Sequence, residues 1–217
     1  MAQVTNFKDR LADYAGSLAE TDDDALQQYV LDCCLEVIKT VQQQNPDSVY
    51  SFTAQSGTIA DGNPVSLLDE NTIIGVVRNE VQATRGNAST SIYYNDSDSI
   101  YYASSRDPKY WIKNGNLFIA PEPTGPESAY YYYIPKYSVK NFDSGVTEIV
   151  DVDSDNKVFP EKYYEALLIC ISIKILNRRL NDYLENDEDI ELVNGIQSQI
   201  ARFDQEYQKI MGIEPQS

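Results

Sequence analysis

Apolar residues recur at helical spacing near both ends of the chain and lose that spacing in the middle. Between Asn6 and Leu18, the residues Phe7, Leu11, Tyr14 and Leu18 return every three or four positions, which predicts a short helix. Thr21 followed by Asp22, Asp23 and Asp24 predicts the start of a second helix, because side-chain oxygens cap free amides and carboxylates suit the positive end of the dipole. From there Leu26, Tyr29, Val30, Cys33, Val37, Ile38 and Val41 form one stripe, and Asn45-Pro46 ends it. Near the other end, Phe159-Pro160-Glu161 opens a helix running to about Leu184, with Tyr164, Leu167, Leu168, Ile171, Ile175, Leu176 and Leu180 inward. Asn186 and Asp187-Glu188-Asp189 interrupt it. Val193, Ile196, Ile200, Phe203, Tyr207 and Ile210 then repeat at spacings of 3, 4, 3, 4 and 3. Such a seam calls for a partner helix, and the preceding one in an antiparallel hairpin is the simplest.

Residues 49–158 change character. Short runs of Thr, Ser, Tyr, Val and Ile alternate with turn residues. Strands are predicted at Val49–Ala54, Ile73–Asn79, Thr90–Tyr94, Ile100–Ala103, Tyr110–Ile112, Leu117–Ile119, Ala129–Pro135 and Thr147–Val150. Asn114-Gly115 marks a tight hairpin, since both residues tolerate positive φ. Asp61-Gly62-Asn63-Pro64 and the run from Pro121 to Pro126 read as loops, the second stiff and exposed. The pattern predicts an α+β chain. Residues 1–48 and 159–217 form a helical bundle, and residues 49–158 form an inserted, antiparallel, sandwich-like β domain.

Charge changes this picture in one respect. Thirty-four acidic against seventeen basic residues leave a net charge of −17 over 217 residues. The acidity is spread: residues 1–49 carry 9 acidic and 3 basic side chains, 50–159 carry 14 and 8, and 160–217 carry 11 and 6. No single acidic tail accounts for it, and adhesion to phosphate backbones, which needs clustered Lys and Arg, is disfavoured. No apolar run reaches the roughly 18 residues of a membrane span, and the N-terminus shows no secretory h-region. Three cysteines, two of them adjacent, make no disulfide framework, so a reduced intracellular protein is expected.

Chemistry is thinly supplied. The chain has no histidine, which removes the usual neutral-pH base, the commonest metal ligand and every Ser-His or Cys-His pair. Asp151-Val-Asp153-Ser-Asp155-Asn156 opens like a calcium loop, but its sixth position is Asn156 instead of glycine and its twelfth is Lys162 instead of glutamate. Asp22–Asp24 and Asp187–Asp189 each precede helical periodicity, so capping explains them better than paired-acid catalysis. Cys33 and Cys34 lack a CxxC spacing, and no phosphate-binding glycine loop is present. No catalytic residue, metal or cofactor is expected.

Two features point to contacts instead. Eleven of the 17 tyrosines lie between Tyr50 and Tyr137. In the run Tyr130 to Tyr133, alternate side chains face opposite sides of a strand, so one pair can pack inward while Tyr131 and Tyr133 meet another subunit or stack on a sugar. Lys174, Arg178 and Arg179 sit on one helix, either as a solvated face or as a docking patch for an acidic neighbour or another copy. A carbohydrate-binding or host-recognition module built on the tyrosine-rich β domain is the alternative function.

The proline-initiated helix Phe159-Pro160-Glu161-Lys162-Tyr163-Tyr164-Glu165-Ala166-Leu167-Leu168, the later segment Arg202-Phe203-Asp204-Gln205-Glu206-Tyr207, the helix from Ala25 to Gln44 and the strand Tyr130–Ile134 together resemble the head-to-tail connector (adaptor, or ring) proteins of tailed bacteriophages, podovirus-type or crAss-like. The resemblance covers the helical ends, about half the chain. It implies a virion structural protein, assembled in the host cytoplasm, that forms a neck ring of twelve copies beneath the portal protein. Such a ring extends the channel for double-stranded DNA without binding it specifically, carries the tail or further neck proteins, and involves neither catalysis nor a membrane.

Overall fold

The computed structural model describes residues 7–17, 22–59, 64–67, 73–124, 128–140, 148–151, 158–185 and 190–213. The chain divides into two compact units, one made of residues 1–52 and 136–217, the other of residues 53–135.

The first unit is mainly helical. Helix α1 spans Phe7–Ala15 and buries Phe7, Leu11 and Ala15. Gly16 follows with φ of +74°, and its amide donates to Ala12 carbonyl at 2.9 Å, so a residue free of the Cβ penalty closes the helix. Helix α2 spans Asp23–Gln44, and its cap is Asp22, whose carboxylate accepts from the Asp24 amide at 3.3 Å. Thr21, Leu18, Asn186 and the run Asp187–Asp189 lie outside the described residues. The expected stripe of α2 is buried except for Tyr29, which is half-buried, and Cys34 joins it.

Beyond Asn45 the chain turns into a 3-10 helix, Pro46–Phe52, where the sequence had predicted a strand. Another 3-10 turn, Glu161–Tyr163, leads into α3, Tyr164–Glu185, and α4 follows at Ile190–Met211. Helix α3 packs against α1, α2 and α4, so it is the centre of this unit. It buries every residue from Ala166 to Ser172, the pattern of a helix surrounded by protein. Ser172 is accommodated there because its hydroxyl donates to the Leu168 carbonyl at 2.8 Å. The seam of α4 buries Val193, Ile196, Phe203 and Tyr207, with Met211 in place of the expected Ile210.

A two-stranded hairpin joins the helices in this unit: β8 (Tyr137–Lys140) with β9 (Glu148–Asp151). Its anchor is aromatic. Tyr137 donates its hydroxyl to the Phe52 carbonyl at 2.7 Å, and Phe159 sits against both the Tyr137 and Phe52 rings.

The second unit is a seven-stranded sheet: β1 (Ala54–Gln55), β2 (Val65–Ser66), β3 (Ile73–Arg78), β4 (Val81–Arg85), β5 (Lys109–Lys113), β6 (Asn116–Ala120) and β7 (Ala129–Tyr133). The spatial order is β1-β7-β3-β4-β5-β6-β2. The α+β class therefore holds, but the sheet is mixed, because β4 and β5 run parallel. It is also one curled sheet instead of a sandwich. Val76 of β3, Ala83 of β4, Tyr110 of β5, Leu117 and Ile119 of β6 and Ala129 of β7 share a single core across five neighbouring strands.

The Asn114-Gly115 hairpin between β5 and β6 forms as expected, with φ of 53° and 73°. A second tight turn at Asn79-Glu80, with φ of 46° and 65°, creates β4, a strand absent from the sequence reading. Two expected strands are not strands. Ser91–Tyr93 is a 3-10 turn, and the segment from Ile100 to Ala103 is turn and irregular chain held by local hydrogen bonds. The loop after β6 is also more tied than expected: buried Arg78 donates from Nε to the Pro121 carbonyl at 2.6 Å and from Nη2 to the Glu122 carbonyl at 3.3 Å. A buried guanidinium is tolerated where carbonyl dipoles face it.

Candidate functional site

The cysteines come first because two of them meet. Cys33 of α2 lies beside Cys170 of α3, and all three thiols are buried. Burial pushes the Cys33 thiol well up, and hydrogen bonding to Cys170 adds to this, so Cys33 is not a ready nucleophile. Among the described residues no group of three or more His, Cys, Asp or Glu side chains is arranged to hold a metal ion. Of the calcium-like run at 151–156, only Asp151 lies among them.

The four consecutive tyrosines occupy β7, hydrogen bonded between β3 and β1. Tyr131 points to the core side, where it packs against the shared cluster, and the Tyr133 ring centroid lies 5.8 Å from its own. Tyr130 and Tyr132 stand on the opposite face, 5.5 Å apart and edge to face at 89°. Their hydroxyls hydrogen bond, which raises the Tyr130 phenol above its ordinary range. Tyr131, expected with Tyr133 to make outside contacts, packs against the core cluster, and all four rings are half-buried.

The three basic residues of α3 separate. Arg179 donates from Nη1 to the Ala15 carbonyl, at the end of α1. It is thus a positioning group inside the unit: a cation placed at the negative end of a helix dipole, satisfying an orphan carbonyl. Gln199 of α4 does the same for the Tyr14 carbonyl at 2.9 Å. Lys174 is half-buried beside the cysteine pair, where its charge opposes the rise of the Cys33 thiol. Arg178 is exposed.

Sequence reasoning missed the most conspicuous surface. The segment 86–108 between β4 and β5 exposes Ile92, Tyr93, Ile100, Tyr101 and Tyr102. Two of its runs had been assigned to strands, whose alternation would have turned half of these side chains inward.

These elements describe a protein organised for contact. Burial raises the Cys33 and Cys34 thiols, Arg179 caps the end of α1, and five exposed large apolar side chains gather in the one segment between β4 and β5. The SU10 adaptor protein family matches residues 2–217, nearly the whole chain, and the chain belongs to that family of phage head-to-tail adaptors. No curated protein matches alongside it. The family is a structural one and not an enzyme family, so the protein is a bacteriophage virion component with an adaptor role.

Proposed function

We propose that the chain forms a homo-oligomeric neck ring, of twelve copies, docked on the portal protein and carrying the tail or further neck proteins. Family membership along the whole chain is the observation that carries this reading. The helical portion, residues 1–52 and 136–217 and not only the expected 1–48 and 159–217, makes the ring body, and residues 53–135 are its insertion. Exposed Arg178, with Lys174 one turn away and Tyr133 of the sheet, supplies contacts to acidic or aromatic surfaces of neighbours. The net charge of −17 suits a channel wall. Acidic walls release no counterions from DNA and form no phosphate contacts, so the duplex slides without being held.

The recognition-module alternative gains little. The Tyr130–Tyr132 pair is edge to face, which offers a sugar ring no flat platform.

The same charge opposes closure of the ring. Copies should remain monomeric or weakly associated at low ionic strength and assemble better near physiological salt, where the Debye length falls to about 8 Å. Mixing the chain with portal protein and counting copies by electron microscopy tests the reading. Rings on portal are the expected result; no portal affinity at any salt overturns it.

A further inference from the structure

The segment 86–108 is the crossover that two parallel neighbours, β4 and β5, require. It is also rigid. The Gly86 amide donates to the Tyr110 carbonyl at 2.7 Å, and the Tyr94 hydroxyl donates to the Asn87 carbonyl at 2.9 Å. Tyr94 is buried, lies edge-on to Trp111 with ring centroids 5.1 Å apart, and covers Gly86 so closely that a Cβ there would come within 2.3 Å of its hydroxyl. Trp111 stacks in turn on Phe118 at 5.4 Å. Asn87 and Asp96 fold their own turns, accepting from the Ser89 and Asp98 amides at 3.0 and 3.1 Å.

This framework holds large apolar side chains in water. Ile92 is 74% and Ile100 92% exposed, with Tyr93, Tyr101 and Tyr102 each above 40%. Single exposed hydrophobics are ordinary on a protein surface, but five within eleven residues on a fixed scaffold mark a contact surface. Rigid aromatic anchors also lose little conformational entropy on binding.

The carboxylates within the patch, with exposed Arg85 and Arg106 standing at the far ends of the segment, favour one kind of occupant. Asp96 and Asp98 sit between the two isoleucines in the chain, and neither meets a cation among the described residues. Another copy of a chain carrying −17 presents, on average, more negative than positive charge to them. A partner with Lys and Arg around an apolar socket would neutralise both carboxylates as the isoleucines are buried.

We propose that residues 90–102 are the docking surface for a different, basic-rimmed protein of the virion, and not for a second copy of this chain. The proposal rests on the neck-ring reading and assigns that ring one of its outward contacts. It is tested in assembled particles built with the full-length chain carrying a benzophenone amino acid at Tyr101. Illumination should cross-link a different protein, through a segment containing Lys or Arg. The variant Ile92→Asp/Ile100→Asp should lower retention of that protein by about tenfold or more, without changing the melting temperature of the purified chain. Asp96→Asn/Asp98→Asn leaves the apolar anchors in place, and should give a smaller loss with a flatter salt dependence. Rings whose cross-links join only copies of this chain overturn the docking proposal while leaving the ring intact. Full retention by both double variants overturns it equally. Particles that lack the chain altogether overturn the ring reading and the docking proposal with it.

Discussion

Helices α3 and α4 are both 22 residues long, yet their surroundings differ completely. Helix α3 buries seven consecutive residues in its first half, while α4 shows the spaced burial of a helix with one wet side. The difference follows from neighbours: α3 meets α1, α2 and α4, whereas α4 leans on α3 and, less extensively, on α2. An apolar stripe therefore identifies a helix that packs on something. A continuous apolar run within a helical pattern identifies the helix on which others pack.

Truncation should expose this contrast most strongly. Leu168→Ala in α3 removes a side chain with no exposure, from a place where the surrounding helices cannot all close in, and should cost about 2–5 kcal/mol. Ile196→Ala in α4, at a seam position already 7% exposed, should cost no more than about 2 kcal/mol, because the free side of the helix can relax. Denaturant unfolding of the full chain by circular dichroism measures both. Equal losses would break the comparison and make α4 as central as α3.

What the sequence conveyed follows the same division. All four helices were legible, because 3.6-residue periodicity is a local signal repeated over many turns. The Asn114-Gly115 hairpin was legible for the same reason, as one dipeptide sets the turn. Two runs around Tyr93 and Tyr101 have strand composition but lie among Ser, Thr, Asn and Asp residues whose side chains hydrogen bond nearby backbone, and the turns prevail. Strand β4 was hidden because Asn79-Glu80 reaches positive φ without a glycine to announce it. Of the candidate contact residues, Arg179 carried no sign of its role, since the carbonyl it caps lies 164 positions away. Tyr131 was assigned by alternation alone; alternation separates the two faces of a strand but does not say which one the curled sheet will enclose.

The two helices also share a task at the end of α1, on unequal terms. Arg179 of α3 offers a charged donor to the Ala15 carbonyl, and Gln199 of α4 a neutral one to the Tyr14 carbonyl. Arg179→Met keeps much of the side-chain bulk and should cost about 1–2 kcal/mol, since hydrogen bonds from charged groups are the stronger class. Gln199→Leu should cost about 0.5–1.5 kcal/mol. Hydrogen exchange at the Gly16 amide, which closes α1 onto Ala12, reports the local effect: protection should fall more in the arginine variant. A larger fall in the glutamine variant would reverse the ranking of the two helices.

The smallest effect lies on the wetter helix and depends on pH. Desolvation, with the nearby charge of Glu36 adding to it, raises the Asp204 carboxyl above its usual range. A carboxyl raised in the folded state binds its proton more tightly there than in the unfolded chain. Its contribution to stability is therefore full below the ordinary carboxylate range and is lost as pH climbs through the raised value. Asp204→Asn removes the charge while keeping the shape, so the variant should melt slightly higher than the parent at pH 7, and the gain should shrink towards zero near pH 4. Paired melting curves across that interval decide it. A difference that stays constant with pH would mean that Asp204, an exposed residue, is as well solvated in the fold as in the unfolded chain.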